Sequence, residues 1–272
     1  MGEMVSIIIP TYNRAREIGR AICSVLRQTY QNYEIVIVDD GSTDHTREVI
    51  QQIKDKRVRY IRYEQNQGAA HARNVGIQES RYDYIAFLDS DDEWMPTKLE
   101  LQMQRMSDAS EEVGLVYCRM SGETRGGGAR YICPPDGISL EVLKGSMFPQ
   151  ILYKNVIGTP CVLVRKKCLE QTGGFKEALR CLEDWEWILR IVKTWKVEFV
   201  DEILVEVYRL EGSVSTNVGA YLVARCYMVS LYRSEMADAG MLEDVTDEIL
   251  KTAEEYGLLE EIKELLSRNI EI

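Results

Sequence analysis

The chain has 272 residues, 45% of them apolar and 28% charged; 33 Lys and Arg stand against 44 Asp and Glu, for a formal net charge of −11. That balance belongs to a folded protein with a sizeable core, and it excludes collagen-like, disordered and disulfide-stapled chains. The net acidity also argues against a nucleic-acid binder, because no broad basic face is available for a phosphate backbone.

In chain order, Val5 to Ile9 is a buried-type apolar run that stops at Pro10. Ile18, Ala21, Ile22, Val25 and Leu26 follow at helix spacing, with Asn13 placed as a cap. Glu34 to Val38 is a second apolar run ending in Asp39-Asp40-Gly41-Ser42, and Val49, Ile50 and Ile53 mark a second helix. Val58 to Tyr63 alternates like a strand, and Gly68 to Gln78 reads as a helix with a small-residue face of Ala69, Ala72 and Gly76. Tyr84 to Leu88 is a third buried-type strand, ending in Asp89-Ser90-Asp91-Asp92. A helix is expected from Pro96 to about Asp108, a strand over Val113 to Cys118, and a Gly- and Pro-rich loop or ribbon over Ser121 to Gly137. Beyond it come a strand at Cys161 to Val164, a helix over Glu183 to Thr194, two short strands near Val197–Val200 and Ile203–Tyr208, and helix from Gly219 onward.

Strands alternating with helices predict a mostly parallel α/β sheet flanked by helices. Three strands end in polar clusters, and open α/β sheets bind ligands beyond the carboxyl ends of their strands. Topology alone therefore draws Pro10-Thr11-Tyr12, Asp39-Asp40 and Asp89-Ser90-Asp91 around one crevice. Asp89 and Asp91 fall on one side of an extended chain. They suit a divalent ion held with phosphates, or an acidic turn before Pro96. Asp39-Asp40-Gly41-Ser42 reads as a base or ribose acceptor, or as a turn and cap. The helix opening at Gly68 could admit an anion, with Arg73 to meet it. Glu183-Asp184 is either a general base or an acidic first turn that suits the helix dipole.

Taken together and in order, these segments resemble the family 2 glycosyltransferases of the GT-A fold, over about residues 4–210. The carrying stretches are Val5 to Asn13, Ile35 to Asp44, Asn66 to Asn74, Phe87 to Asp92 and Glu183-Asp184-Trp185. The resemblance implies a GT-A domain over 1–215, with a nucleotide-binding half of about 1–118 and an acceptor half of about 119–215. A helical extension over 216–272 follows. It also implies a nucleotide-sugar donor, such as a UDP-hexose or UDP-N-acetylhexosamine, and Mn²⁺ or Mg²⁺. Pro10, Thr11, Tyr12, Asn13, Asp39, Gly68, Arg73, Asp89, Ser90, Asp91, Thr159 and Arg209 would form the donor site. Asp91 and Asp89 would hold the metal. Asp184, with Glu183 beside it, would be the base that deprotonates an acceptor hydroxyl and so inverts the anomeric centre. Saccharide, lipid-linked and protein acceptors are all compatible, in cell-surface polysaccharide or glycoconjugate synthesis.

Two other classes remain open on the residues. A non-catalytic nucleotide-sugar-binding or scaffold protein would have no need of both Asp89-x-Asp91 and Glu183-Asp184. A sugar-phosphate nucleotidyltransferase would need a basic, Gly-rich loop where Pro10-Thr11-Tyr12-Asn13 stands. Seven cysteines without a C-x-x-C pair suit scattered thiols in a reducing compartment. No signal peptide and no run of about 18 apolar residues is visible. The expected location is the cytoplasm, with peripheral contact at the inner membrane face and oligomerisation through the C-terminal helices as further expectations.

Overall fold

The computed structural model of the protein describes residues 2–123, 129–208 and 217–268. Strands β1 (Val5–Thr11), β2 (Tyr33–Asp39), β3 (Val58–Arg62) and β4 (Tyr84–Phe87) lie parallel in the order β3-β2-β1-β4. β1, β2 and β4 are buried along their whole length, which is why they read as unbroken apolar runs. Ile7, Ile9, Ile35 and Ile37 fill the core on one face of the sheet, whereas Ile8, Ile85 and Phe87 fill it on the other. Each such side chain stabilises the fold by about 1.5–3 kcal/mol.

Helices α1 (Ile18–Leu26), α2 (Thr46–Gln51) and α3 (Ala69–Glu79) make the crossovers. α3 sits so close to β1 that a Cβ on Gly76 would come within 2.4 Å of Ile8 Cγ2. Only glycine permits that approach.

The second half adds β5 (Glu93–Trp94), α4 (Lys98–Asp108), β6 (Val113–Glu123), β7 (Arg130–Cys133), α5 (Phe148–Tyr153), β8 (Val162–Arg165), α6 (Lys166–Thr172), α7 (Glu183–Thr194) and β9 (Lys196–Val207). β8 joins β4 antiparallel, and the sheet continues β8-β6-β9-β5, with β7 pairing on β6. The sheet is therefore mixed: a parallel first half continued by a second half in which only β6 and β9 run parallel. Three further helices, α8 (Val218–Asp238), α9 (Leu242–Glu255) and α10 (Leu259–Ser267), close the described chain. Leu222, Cys226, Val229, Tyr232, Val245, Ile249 and Ile262 from them share one apolar cluster with Trp187, Ile188 and Phe87.

The first six elements fall within a residue or two of expectation. β6 is longer than expected, because its end pairs with β7 as a ribbon; Gly126 to Gly128 lie outside the described residues. The two short strands expected after Val197 are one strand, β9. Asp201 and Glu202, between the two expected strands, sit exposed at a register shift where Arg119 of β6 donates to Asp201. A bulge with a solvent-facing polar pair lets the ladder continue. α5, α6 and β5 are too short to leave a periodic signal. All seven cysteines are free thiols, five of them buried.

Candidate active site

Parallel register sets the site. Thr11 pairs with Asp39, and Leu88 donates its N–H to Ile8, so the ends of β2, β1 and β4 reach one edge together. The chain reverses strand order between β1 and β4, the place where a crevice opens in such sheets. A cavity of about 610 Å³ occupies it. Its walls include Pro10 to Arg14, Asp40, Asn66 to Ala70, Ala72, Arg73, Asp89 to Asp91, Glu177, Leu179, Arg180 and Glu183.

The β1 and β2 ends are built by side chains that accept main-chain N–H groups. Asn13 adopts φ +51°, a conformation asparagine tolerates, and its Oδ1 accepts from Thr43 N–H at 2.8 Å. Asp39 is fully buried: Oδ1 accepts from Ser42 N–H at 2.8 Å and Oδ2 from the Tyr60 hydroxyl at 2.5 Å. Asp40, one residue on, turns to the opposite side and lines the cavity. Its two oxygens accept from Gln67 N–H at 2.7 Å and Gly68 N–H at 2.8 Å. Gly68 holds φ +101° with open space where a Cβ would stand, which a larger residue would strain. Tyr12 is 41% exposed at the lip, whereas the Thr11 hydroxyl is buried without a hydrogen-bond partner among the described residues.

The centre of the site is Arg73. Its guanidinium donates to Asp89 Oδ1 at 2.8 Å and to Glu183 Oε1 at 2.9 Å, spanning 16 and 110 positions of sequence. Only 8% of this side chain is exposed, and Phe175 lies 5.3 Å beneath it. Burial opposes its charge, but Asp89, Glu183 and Asp184 together hold it protonated. Asp91 carries one long ion pair, to Arg14 Nε at 3.7 Å, and burial followed by the like charge of Asp89 raises its carboxyl above the usual range. Asp92 is raised further, first by burial and then by Asp89 and Asp91. It accepts from Tyr208 N–H at 3.1 Å.

Asp184 begins α7 behind Glu183. Its Oδ1 accepts from Trp185 N–H at 2.8 Å, and burial, then the charge of Glu183, pushes its carboxyl up to about 6. A carboxylate poised near neutrality suits a general base.

The structure thus gathers Pro10, Thr11, Tyr12, Asn13, Gly68, Arg73, Asp89, Ser90, Asp91 and Glu183 at the cavity. Asp39 is not on the cavity wall: its carboxylate is fully enclosed beside Ser42 and Tyr60, and Asp40 lines the cavity instead. Thr159 does not reach it either: it lies 2% exposed in a single 3-10 turn, Thr159–Cys161, before β8. Asp184 touches the site through the fields of Glu183, Arg73 and Asp89 and is not itself on the wall. Arg209 lies outside the described residues. Sequence reading drew Asp39-Asp40 to the crevice but named only Asp39 for the donor site, and it missed Glu177, Leu179 and Arg180. Strand alternation separates Asp39 from Asp40 without saying which faces the cavity, and the Glu177–Arg180 wall precedes α7 as irregular chain and leaves no pattern.

Asp89 and Asp91 offer hard oxygen donors at one rim, which fits Mg²⁺ or Mn²⁺ shared with the phosphates of a ligand. Among the described residues no group of three or more His, Cys, Asp or Glu forms a dedicated metal cage. No helix there is long and apolar enough to cross a membrane.

A family model described as glycosyl transferase family 2 matches residues 6–162. The chain is 35% identical to an uncharacterized glycosyltransferase of Haemophilus influenzae, over 70% of this chain and 62% of that one. It is 31% identical to TuaG of Bacillus subtilis, named for teichuronic acid biosynthesis, over 79% of this chain and 82% of that one. The chain spans only 34%, 43% and 25% of three longer Rickettsia relatives. Among solved structures, S. aureus TarS 1–349 with UDP-GlcNAc superposes with a TM-score of 0.71 at 19% identity, covering 92% of this chain and 72% of that one. The mannosyltransferase PcManGT of Pyrobaculum calidifontis, with GDP-Man and Mn²⁺, gives 0.66 at 18% identity, covering 98% and 75%. At these identities the two structures establish the fold, GT-A, and nothing more.

Proposed function

The chain belongs to glycosyl transferase family 2, and on that premise we propose that it transfers a sugar from a nucleotide-diphosphate sugar to a hydroxyl acceptor by single displacement, with inversion. The observation that carries this reading is the shared guanidinium of Arg73, which ties a strand-end carboxylate, Asp89, to the pair Glu183-Asp184 from the far end of the sequence. Burial and the neighbouring Glu183 raise the Asp184 carboxyl toward neutrality beside that cavity, which supports its use as a general base.

In this reading the residues divide the work. Tyr12 and Asp40 hold the base end of the donor, while Gly68 and Ala69 leave room for its phosphates to approach the start of α3. Asp91 and Asp89 would hold a divalent cation on the diphosphate, where it would neutralise charge developing on the leaving group. Arg73 keeps Asp89 and Glu183 fixed, so that neither carboxylate drifts into the space the sugar needs. Asp184 takes the acceptor proton as the hydroxyl attacks the anomeric carbon from the face opposite the leaving diphosphate, and the anomeric centre inverts. No covalent intermediate is required.

The favoured donor is a UDP-hexose or UDP-N-acetylhexosamine, supported by the UDP-GlcNAc held in the TarS fold. GDP-mannose in PcManGT keeps other nucleotides in the test. The TuaG likeness supports a role in cell-surface polysaccharide synthesis. The acceptor is a saccharide, lipid-linked or protein hydroxyl. Seven free thiols suit the cytoplasm. We assign donor and acceptor chemistry to residues 1–215, and a supporting layer to 216–272.

The test is a panel of nucleotide sugars with Mn²⁺ or Mg²⁺, reading release of free nucleoside diphosphate. At least one UDP-sugar should be bound and turned over. Metal should tighten it, and Asp91→Ala should remove that tightening, about tenfold for the loss of one charge-assisted contact. A cavity that binds no nucleotide sugar contradicts the proposal, and unchanged metal dependence in Asp91→Ala contradicts the metal role.

A further inference from the structure

Arg225 on α8 is a buried charge with few polar partners. It is 1% exposed, and its Nε and Nη1 have no hydrogen-bond partner among the described residues. Its one ion pair, Nη2 to Glu248 Oε2, is long at 3.6 Å, and Glu248 is itself half-exposed. A buried guanidinium so poorly paired is a poor stabiliser. What it does have is a ring: its Cζ stands 4.5 Å from the centroid of Trp185.

Trp185 is the residue whose main-chain N–H holds the Asp184 carboxylate. The indole is fixed from two sides. Its Nε1 donates to Ile151 O of α5 at 2.7 Å, and Arg225 covers its face. Immediately before the Glu183-Asp184 pair stands Leu182, a leucine at φ +57°. A left-handed conformation in such a residue persists only where its surroundings impose it. Leu182 packs on Leu179 together with Ala224 and Tyr227 of the same turn of α8. One turn of α8, residues 224–227, therefore grips the chain on both sides of the pair: Leu182 before it and Trp185 after it.

We propose that α8, through Arg225 stacked on Trp185, is the positioning element for the base Asp184, so that the C-terminal helices belong to the transferase machinery. This rests on the reading of Asp184 as base. Arg225 itself touches no substrate. Its guanidinium fixes the rotation of Trp185, and with it the direction in which the first turn of α7 presents the carboxylate.

The test uses the full chain with Arg225→Met and Arg225→Lys. Methionine fills the same space without the charge, so the melting temperature should stay equal or rise. kcat should nonetheless fall about 10- to 100-fold, the cost of a misplaced catalytic group, while the donor KM stays within about twofold of wild type. Lysine, which keeps a cation over the ring, should recover part of kcat. Independently of turnover, amide hydrogen exchange should quicken at residues 183–186 in Arg225→Met and not across α8–α10. Wild-type kcat in Arg225→Met overturns the proposal. So does a fall in kcat that only tracks a lower melting temperature, and so does exchange that is unchanged or spread over all three helices. A wild-type chain that turns over no donor speaks against the transferase reading instead, and the exchange pattern then still decides whether Arg225 orders the start of α7.

Discussion

The end of β2 and the start of α7 hold their acidic groups in opposite ways. At the end of β2, Asp39 and Asp40 each have both oxygens filled; main-chain N–H groups supply three of those contacts and a tyrosine hydroxyl the fourth. At α7, Glu183 relies on one side chain from the other half of the molecule, and Asp184 on one N–H and a carboxyl raised by burial. The end of β2 is thus preformed by its own hydrogen bonds. The start of α7 is held at a cost, because like charges and burial disfavour the ionised base there. A fold can carry such a group only if distant elements keep it in place, and Arg73 from one side and α8 from the other do so.

The comparison breaks most severely at its link. Arg73→Met leaves Asp89 and Glu183 unpaired, and should lower turnover about 10³-fold and stability by about 3 kcal/mol, read by steady-state kinetics and urea unfolding. If only stability falls, the bridge is architecture and not part of catalysis. A smaller effect is expected at the end of β2. Asp40→Asn keeps the shape but cannot accept two N–H bonds as an anion, so it should cost about 1.5 kcal/mol and weaken the donor while leaving kcat of the bound complex nearly unchanged. The smallest effect tests a buried charge away from both regions. Lys98 is fully buried beside Trp94, with its Nζ donating to Gln102 at 2.7 Å, and burial pulls its ammonium down to about 8. Because its folded pKa lies below the unfolded one, keeping it charged at pH 7 costs stability. Lys98→Met should therefore leave transfer unchanged and melt at an equal or higher temperature.

How much of this was legible follows from the same contrast. The parallel half is written in local patterns: unbroken apolar runs for buried strands, 3.6-residue spacing for α1, and turn residues at each strand end. Those patterns also suffice to bring β1, β2 and β4 to one edge. They do not say which of two adjacent aspartates faces the cavity, since that depends on the last residue of β2 pairing with Thr11. Nor do they reveal that Arg73 faces Glu183, a contact set by tertiary packing across 110 positions. The Arg225–Trp185 stack is equally silent in the sequence, because an arginine on an apolar helix face reads as an ordinary solvated side chain.

The account stands or falls on Asp184 as the base. The decisive measurement is Asp184→Asn, assayed for donor binding and transfer across pH 5–9 beside the wild type. Wild-type kcat should decline below about pH 6, as the carboxyl takes up its proton. Asparagine should leave donor affinity within about twofold and reduce transfer about 10³-fold at every pH. Its melting temperature should exceed wild type at pH 8 and match it at pH 3, because a carboxyl raised in the fold costs stability only once it is ionised. Transfer by Asp184→Asn within tenfold of wild type, with the same acid decline, would contradict the account and move the base to another residue.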